Sequence, residues 1–157
     1  VHVLGRWLLL LALPVAVGCG TPREDATPPD PDDTPEDPLV AAAWDLGLRR
    51  ASYMDRDGEP LRAALESGGA SDDHALILLQ TWCYKIMAVG EAPLGDLDLA
   101  LFDPRGGLVE TDIQRGVEAA LGVSRPICPP EHGTYRLRVR ASGDVGGAYA
   151  VQVYRSL

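Results

Sequence analysis

The chain has 157 residues, with 14 Lys and Arg against 23 Asp and Glu and a formal net charge of −9. That balance disfavours an overall nucleic-acid role, which needs a net basic footprint, while the length suffices for one domain with its own core. The acidity is uneven: residues 21–38 hold seven carboxylates and one arginine, so residues 39–157 are left at a net −4 and imply no particular partner.

Residues 1–18 carry Arg6 and an apolar run from Trp7 to Val17, too short for a comfortable membrane span. The run ends in Ala16-Val17-Gly18-Cys19, which resembles the lipobox of bacterial lipoprotein signal peptides, with Ala16 where that family usually has Leu. The resemblance implies cleavage before Cys19, acylation of Cys19 with palmitate-type chains, and attachment to a membrane of the bacterial cell envelope through that lipid. Gly20 lacks the acidic side chain that retains such proteins at the inner membrane, so the outer membrane is the expected address. An ordinary secretory signal or an uncleaved anchor are the alternatives. From Thr21 to Pro38, six of 18 residues are Pro and seven are acidic. Such a segment has too little apolar surface to offset chain entropy, so residues 19–38 are predicted to be a disordered linker. At ~3.1 Å per residue the stretch from Thr21 to Pro38 would reach roughly 55 Å.

Residues 39–59 read as a helical leader. Val40, Trp44 and Leu48 recur at helical spacing, Asp45 precedes Arg49 by four, and the turn chemistry of Asp55-Arg56-Asp57-Gly58-Glu59-Pro60 ends the element. The domain proper is placed at 60–157. Leu61–Ser67 is ambiguous between a short helix and an edge strand, and residues 67–73 are predicted to be a loop. Ala75–Val89 is long and β-rich, consistent with two strands or one bent strand. Leu97, Leu99 and Leu101 alternate with Asp96, Asp98 and Ala100, so Gly95–Phe102 reads as a half-buried strand. The strand is stopped by the turn Asp103-Pro104-Arg105-Gly106, and Leu108–Asp112 is its hairpin partner. Val117, Ala119, Leu121 and Val123 alternate in an Ala-rich stretch that a helix could also occupy. Pro126–Pro130 is kinked and confined to an edge or a crossing. Tyr135, Leu137, Val139 and Ala141 alternate with Arg136, Arg138 and Arg140, and Tyr149, Val151 and Val153 alternate in the next segment. These are two antiparallel strands joined by the glycine-rich turn at 142–147. The expected class is all-β, an antiparallel sandwich with a short N-terminal helix, whose core takes Leu97, Leu99, Leu101, Tyr135, Leu137, Val139, Tyr149, Val151 and Val153.

DLDLALFDPRGG, with Gly133-Thr134-Tyr135, Val139 and Gly147-Ala148-Tyr149-Ala150-Val151-Gln152-Val153, resembles the bacterial pre-peptidase C-terminal domain family over roughly residues 60–157. The resemblance implies a jelly-roll-like sandwich of the kind appended to secreted proteases and other exported proteins, and hence an accessory module.

If Cys19 carries lipid, Cys83 and Cys128 remain as an even pair in an oxidising compartment and are expected to be bridged, the alternative being two buried thiols. Without a CxxC pair, and with His74 and His132 isolated, zinc is disfavoured. No cofactor is expected. Calcium is the one metal with candidate ligands, Asp96, Asp98 and Asp103, which are read alternatively as a solvated strand face and a turn carboxylate. Arg136, Arg138 and Arg140 form a stripe spaced about 7 Å apart that could hold a phosphate- or carboxylate-bearing polymer, or pair with acidic strands such as the one carrying Asp96 and Asp98. His132, Ser124 and Ser142 lack any nucleophile motif, so no enzyme is expected. The function expected is a lipid-anchored, non-catalytic binding module for an envelope polysaccharide or a protein partner. The alternatives are a structural envelope component and an accessory module of a secreted hydrolase acting in trans. Trp44, Trp82 and Tyr154 are the aromatic candidates for a sugar surface.

Overall fold

The computed structural model describes residues 35–66, 69–112 and 114–157. The expected signal segment, Cys19 and residues 20–34 of the linker lie outside these residues.

Helix α1 runs over Pro38–Arg50. Pro38 occupies the first turn, where a missing N–H costs nothing. Asp37 Oδ1 accepts from the Leu39 and Val40 N–H groups at 2.8 and 3.2 Å, and Arg49 and Arg50 sit at the negative end of the helix dipole. The helix is followed by β1 (Asp55–Arg56), β2 (Leu61–Leu65), β3 (Ser71–Leu78), β4 (Cys83–Gly90), a 3-10 turn at Ala92–Leu94, β5 (Leu97–Phe102), β6 (Leu108–Thr111), β7 (Glu118–Leu121), β8 (Gly133–Ala141) and β9 (Gly147–Ser156).

These strands form two antiparallel sheets packed face to face. In one, β9 pairs with β4 on one side and with β1 and then β2 along the other, and β7 lies beyond β4. The other has the order β3-β8-β5-β6. Among the described residues, β5–β6 is the one hairpin; every connection from β2 to β5 and from β6 to β9 crosses between the sheets, which gives the jelly-roll-like path. The inter-sheet core takes all nine positions expected from the alternation; eight are buried, and Val153 is half-buried against them.

The outer faces differ. Helix α1 lies across β4 and β9, where Val40, Ala43 and Leu46 pack on Met87, Val89, Ala120, Ala150 and Tyr154. Strands of this sheet are therefore buried on both faces: Tyr84, Ile86 and Ala88 point into the sandwich, while Met87 and Val89 point under the helix. Residues 39–59 thus supply α1 and β1 to the sandwich itself. Gln152, 1% exposed beneath the helix, has its amide satisfied by Trp44 Nε1, the Gly58 carbonyl and the Val153 carbonyl.

Two local expectations are revised and two open readings are settled. Ala75–Val89 is two strands, in opposite sheets, with Cys83 at the start of the second, and the alternation around Ala119 and Leu121 marks a strand, Glu118–Leu121. Ser71–Asp73, however, belong to β3 instead of a loop. Strands β8 and β9 do not pair; the glycine-rich segment between them crosses from one sheet to the other. There Gly143 N–H donates to the Leu94 carbonyl at 2.9 Å, and a Cβ at Gly143 would sit 2.7 Å from that oxygen, so only glycine allows this approach. The prolines act as expected: Ile127 exchanges two backbone hydrogen bonds with Tyr84, 2.7 and 2.9 Å, as an isolated bridge at the sheet margin.

Candidate functional surface on the open sheet

Among the described residues no helix covers the outer face of the β3-β8-β5-β6 sheet, and there the period of two brings the arginine stripe outward. The register sets the rows. Ala75, Arg136, Phe102 and Leu108 lie side by side, then Asp73, Arg138, Ala100 and Thr111, then Ser71, Arg140 and Asp98. Asp73 holds two guanidiniums at once: Arg138 Nε and Nη2 donate to its two oxygens at 2.7 and 2.9 Å, and Arg136 Nη1 donates to Oδ2 at 2.9 Å. These donors, Arg138 foremost, hold the Asp73 carboxyl down at about 2. Phe102, the only phenylalanine of the chain, anchors the row from below, with Arg136 Cζ 4.1 Å and Arg138 Cζ 5.6 Å from its ring centroid.

The partner of the stripe is therefore mainly Asp73 and not the Asp96–Asp98 pair expected from sequence. Asp98 lies opposite Arg140; burial raises its pKa first and Asp96 second, against the pull of Arg140. Asp96 is used elsewhere, its Oδ1 accepting the Gly116 N–H at 2.6 Å. Asp103 Oδ1 accepts the Arg105 and Gly107 N–H groups, each at 2.8 Å, and so organises its own turn. The three carboxylates do not converge, and among the described residues no group of three His, Cys, Asp or Glu is placed to hold a metal ion. The stripe keeps three guanidiniums against two carboxylates, with Arg136 and Arg138 side chains about two-fifths exposed, 39% and 41%.

The remaining candidates are scattered. Trp44 lies under the Arg56 guanidinium, 3.6 Å from its ring centroid, and donates to Gln152; Trp82 lies under Arg155 at 4.7 Å; Tyr154 is buried beneath α1. They form no common sugar platform. His132 and Ser142 sit beyond opposite ends of β8, and Ser124 follows β7. Cys83 and Cys128 are bridged, as expected, with a separation of 45 residues. A cavity of about 330 Å³ beside the disulfide is lined by Val109, Glu110, Arg125, Pro126, Ile127 and Cys128, apart from the arginine rows.

One constellation was not legible in sequence. Tyr149 Oη, inside the sandwich, donates to Asp72 Oδ2 at 3.0 Å and meets His74 Nε2 at 2.5 Å, tying β9 of one sheet to β3 of the other. Burial, then Asp72, raises the Tyr149 pKa well above the ordinary phenol range. Asp72 and His74 are two apart and share the inner face of β3, but only the fold brings them to a residue 75 positions away.

No protein-family model matches the chain, and no curated protein does. A solved structure, the pre-peptidase C-terminal domain of collagenase from Bacillus anthracis, is similar over 60% of this chain and 87% of its own length, at 16% sequence identity and a TM-score of 0.47. The sandwich assignment stands on the strand pairing above.

Proposed function

We propose that the chain is a lipid-anchored bacterial envelope protein whose sandwich is a non-catalytic accessory module, binding a carboxylate-bearing polysaccharide on the open sheet. The observation that carries this reading is the asymmetry of the outer faces: one is closed by α1, while the other presents Arg136, Arg138 and Arg140 in register over Phe102. Asp73 pre-aligns two of the guanidiniums without neutralising the row, so a uronate carboxylate meets planar, bidentate donors at low ordering cost. The spacing of about 7 Å between successive arginines suits a polymer with repeated charges. Attachment through Cys19 and the acidic, proline-rich linker would hold this face away from the membrane.

Polygalacturonate and neutral dextran are the probes. The protein should bind the first, more weakly as salt is raised, and not the second. Replacing Arg136, Arg138 and Arg140 together with Gln should weaken binding roughly tenfold or more while changing stability by less than about 1 kcal/mol, because exposed ion pairs contribute little. Equal binding by the triple variant refutes the site. A variant that loses a protein cross-link in intact cells, with no polysaccharide affinity in either form, replaces polysaccharide by a protein partner. The anchor is tested separately: Cys19→Ser should abolish acylation and membrane fractionation, and unchanged processing refutes the lipoprotein reading.

A further inference from the structure

The four sheet margins are not equally protected against pairing with another strand. On the helix-covered sheet, β1 and β2 are two and five residues long and are separated by a turn, and β7 has four residues. On the open sheet, β6 has four residues and a register shift against β5 at Leu101/Phe102. Short and irregular strands of this kind are how natural sheets blunt their edges. Strand β3 is the exception. It runs for eight residues without a register shift, pairs with β8 along one side, and among the described residues pairs with no strand along the other.

Its side chains do not blunt it either. Asp72 and Asp73 would serve as charged guards, but Asp72 accepts from Tyr149 and Asp73 is held by Arg136 and Arg138 of its own sheet. The other half of the strand, Ala75-Leu76-Ile77-Leu78, carries no charge, and Ile77 is 74% exposed.

From this edge we infer that two copies of the chain pair β3 against β3, antiparallel, about a two-fold axis at Ile77. The register follows from the residues. Centred on Ile77, the strand sets Leu76 against Leu78 of the second copy, Ile77 against its own counterpart, and Ala75 against Leu79, the residue just past the strand's end, so every facing pair from 75 to 79 is apolar. Asp72 and Asp73 then lie past the end of the second copy's strand and meet no carboxylate. Centres nearer Asp73 set an aspartate against Leu76 or against the other aspartate, which costs desolvation or repulsion. The result is a continuous eight-stranded sheet, with the arginine rows of both copies on one side, and an isologous contact that closes without leaving this edge free.

The test uses the full chain carrying Cys19→Ser, in which bridged Cys83 and Cys128 leave no free thiol. Ile77→Cys in that background should form a disulfide-linked dimer under mild oxidation, because facing residues of an antiparallel pair have Cα atoms roughly 4.5 to 5.5 Å apart, within disulfide range. Ser71→Cys, also exposed on β3, should not. Absence of the Ile77→Cys dimer, or equal cross-linking at both positions, overturns the pairing. Independently, sedimentation of the Cys19→Ser chain should show a monomer–dimer equilibrium. Ile77→Lys should raise its dissociation constant roughly tenfold or more, through like charges meeting at the axis, and leave the melting temperature of the monomer unchanged. A dimer indifferent to Ile77→Lys, or a chain that stays monomeric and so leaves the edge to a strand donated by a different protein, overturns it equally.

Discussion

Gly47 lies in α1, in the turn that faces the sheet, and an alanine there should destabilise the protein although alanine is the better helix former. In an open helix the exchange is worth about 1 kcal/mol in favour of alanine. Here a Cβ at Gly47 would overlap Oη and Cζ of Tyr154 and come within 2.7 Å of Cε2. Tyr154 is 5% exposed and packed among the residues that seat the helix, so its ring cannot swing aside without lifting α1 or displacing its neighbours. Overpacking typically costs roughly 1 to 3 kcal/mol and an overlap this deep lies at the upper end, so after the ~1 kcal/mol that propensity returns Gly47→Ala should lose about 2 kcal/mol net. Urea unfolding followed by far-UV circular dichroism reads this directly. The ring and not the hydroxyl is the obstacle, so Tyr154→Phe should not rescue the variant. Tyr154→Leu should, giving a double variant that loses less than the sum of the two single changes. If Gly47→Ala is neutral or stabilising, the close seating of the helix on β9 is wrong.

Three further outcomes follow from the geometry. The Asp73 carboxyl is lowered from 3.8 to about 2 in the folded state, so its contribution is fully present above about pH 4 and is lost as pH falls from 4 toward 2. With its side chain 37% exposed that contribution is about 1 kcal/mol or less, and a stability–pH curve of Asp73→Asn should be flatter than the parent's over that window. Removing the disulfide by a Cys83→Ala, Cys128→Ala double change should cost on the order of 3 to 4 kcal/mol through the freed 45-residue loop, and a loss below 1 kcal/mol in denaturant titration would contradict this. Tyr149→Phe should cost about 1 to 2 kcal/mol, since Asp72 and His74 both lose their inner partner, and an unchanged melting temperature would show that the tie between the sheets carries no energy.

How far the sequence could be read depended on how many faces of a strand are covered. Strands β5 and β8 alternate cleanly because one face meets the core and the other is open, so Leu97, Leu99 and Leu101, and Tyr135, Leu137 and Val139, identified themselves. Strand β4 did not. With α1 on its outer face, Met87 and Val89 are buried like Ile86 and Ala88, so the periodicity vanishes and length and β-branching are all that remain. Cys83 and Cys128 were legible once Cys19 was set aside as the expected lipid site, because two cysteines then have only one intramolecular pairing.

Neighbour relations were harder, and the arginine stripe shows why. Alternation puts Arg136, Arg138 and Arg140 on one face, but it says nothing of which strand lies on either side of β8. Two strands of this sheet, β3 and β5, can offer a carboxylate, and both lie far from β8 in sequence. A glycine-rich connection of six residues from β8 to β9 suggested a third neighbour. That reading failed because glycine serves there for the contact of Gly143 with Leu94 and not for a hairpin turn. Once the chain crosses to the other sheet, both flanks of β8 are left for distant strands, and the acidic charges divide between them. Asp73 on β3 takes Arg138 and Arg136, and Asp98 on β5 faces Arg140. The crossing that hid the partner is thus also what holds one carboxylate against two guanidiniums, and so leaves the open face with a cation to spare.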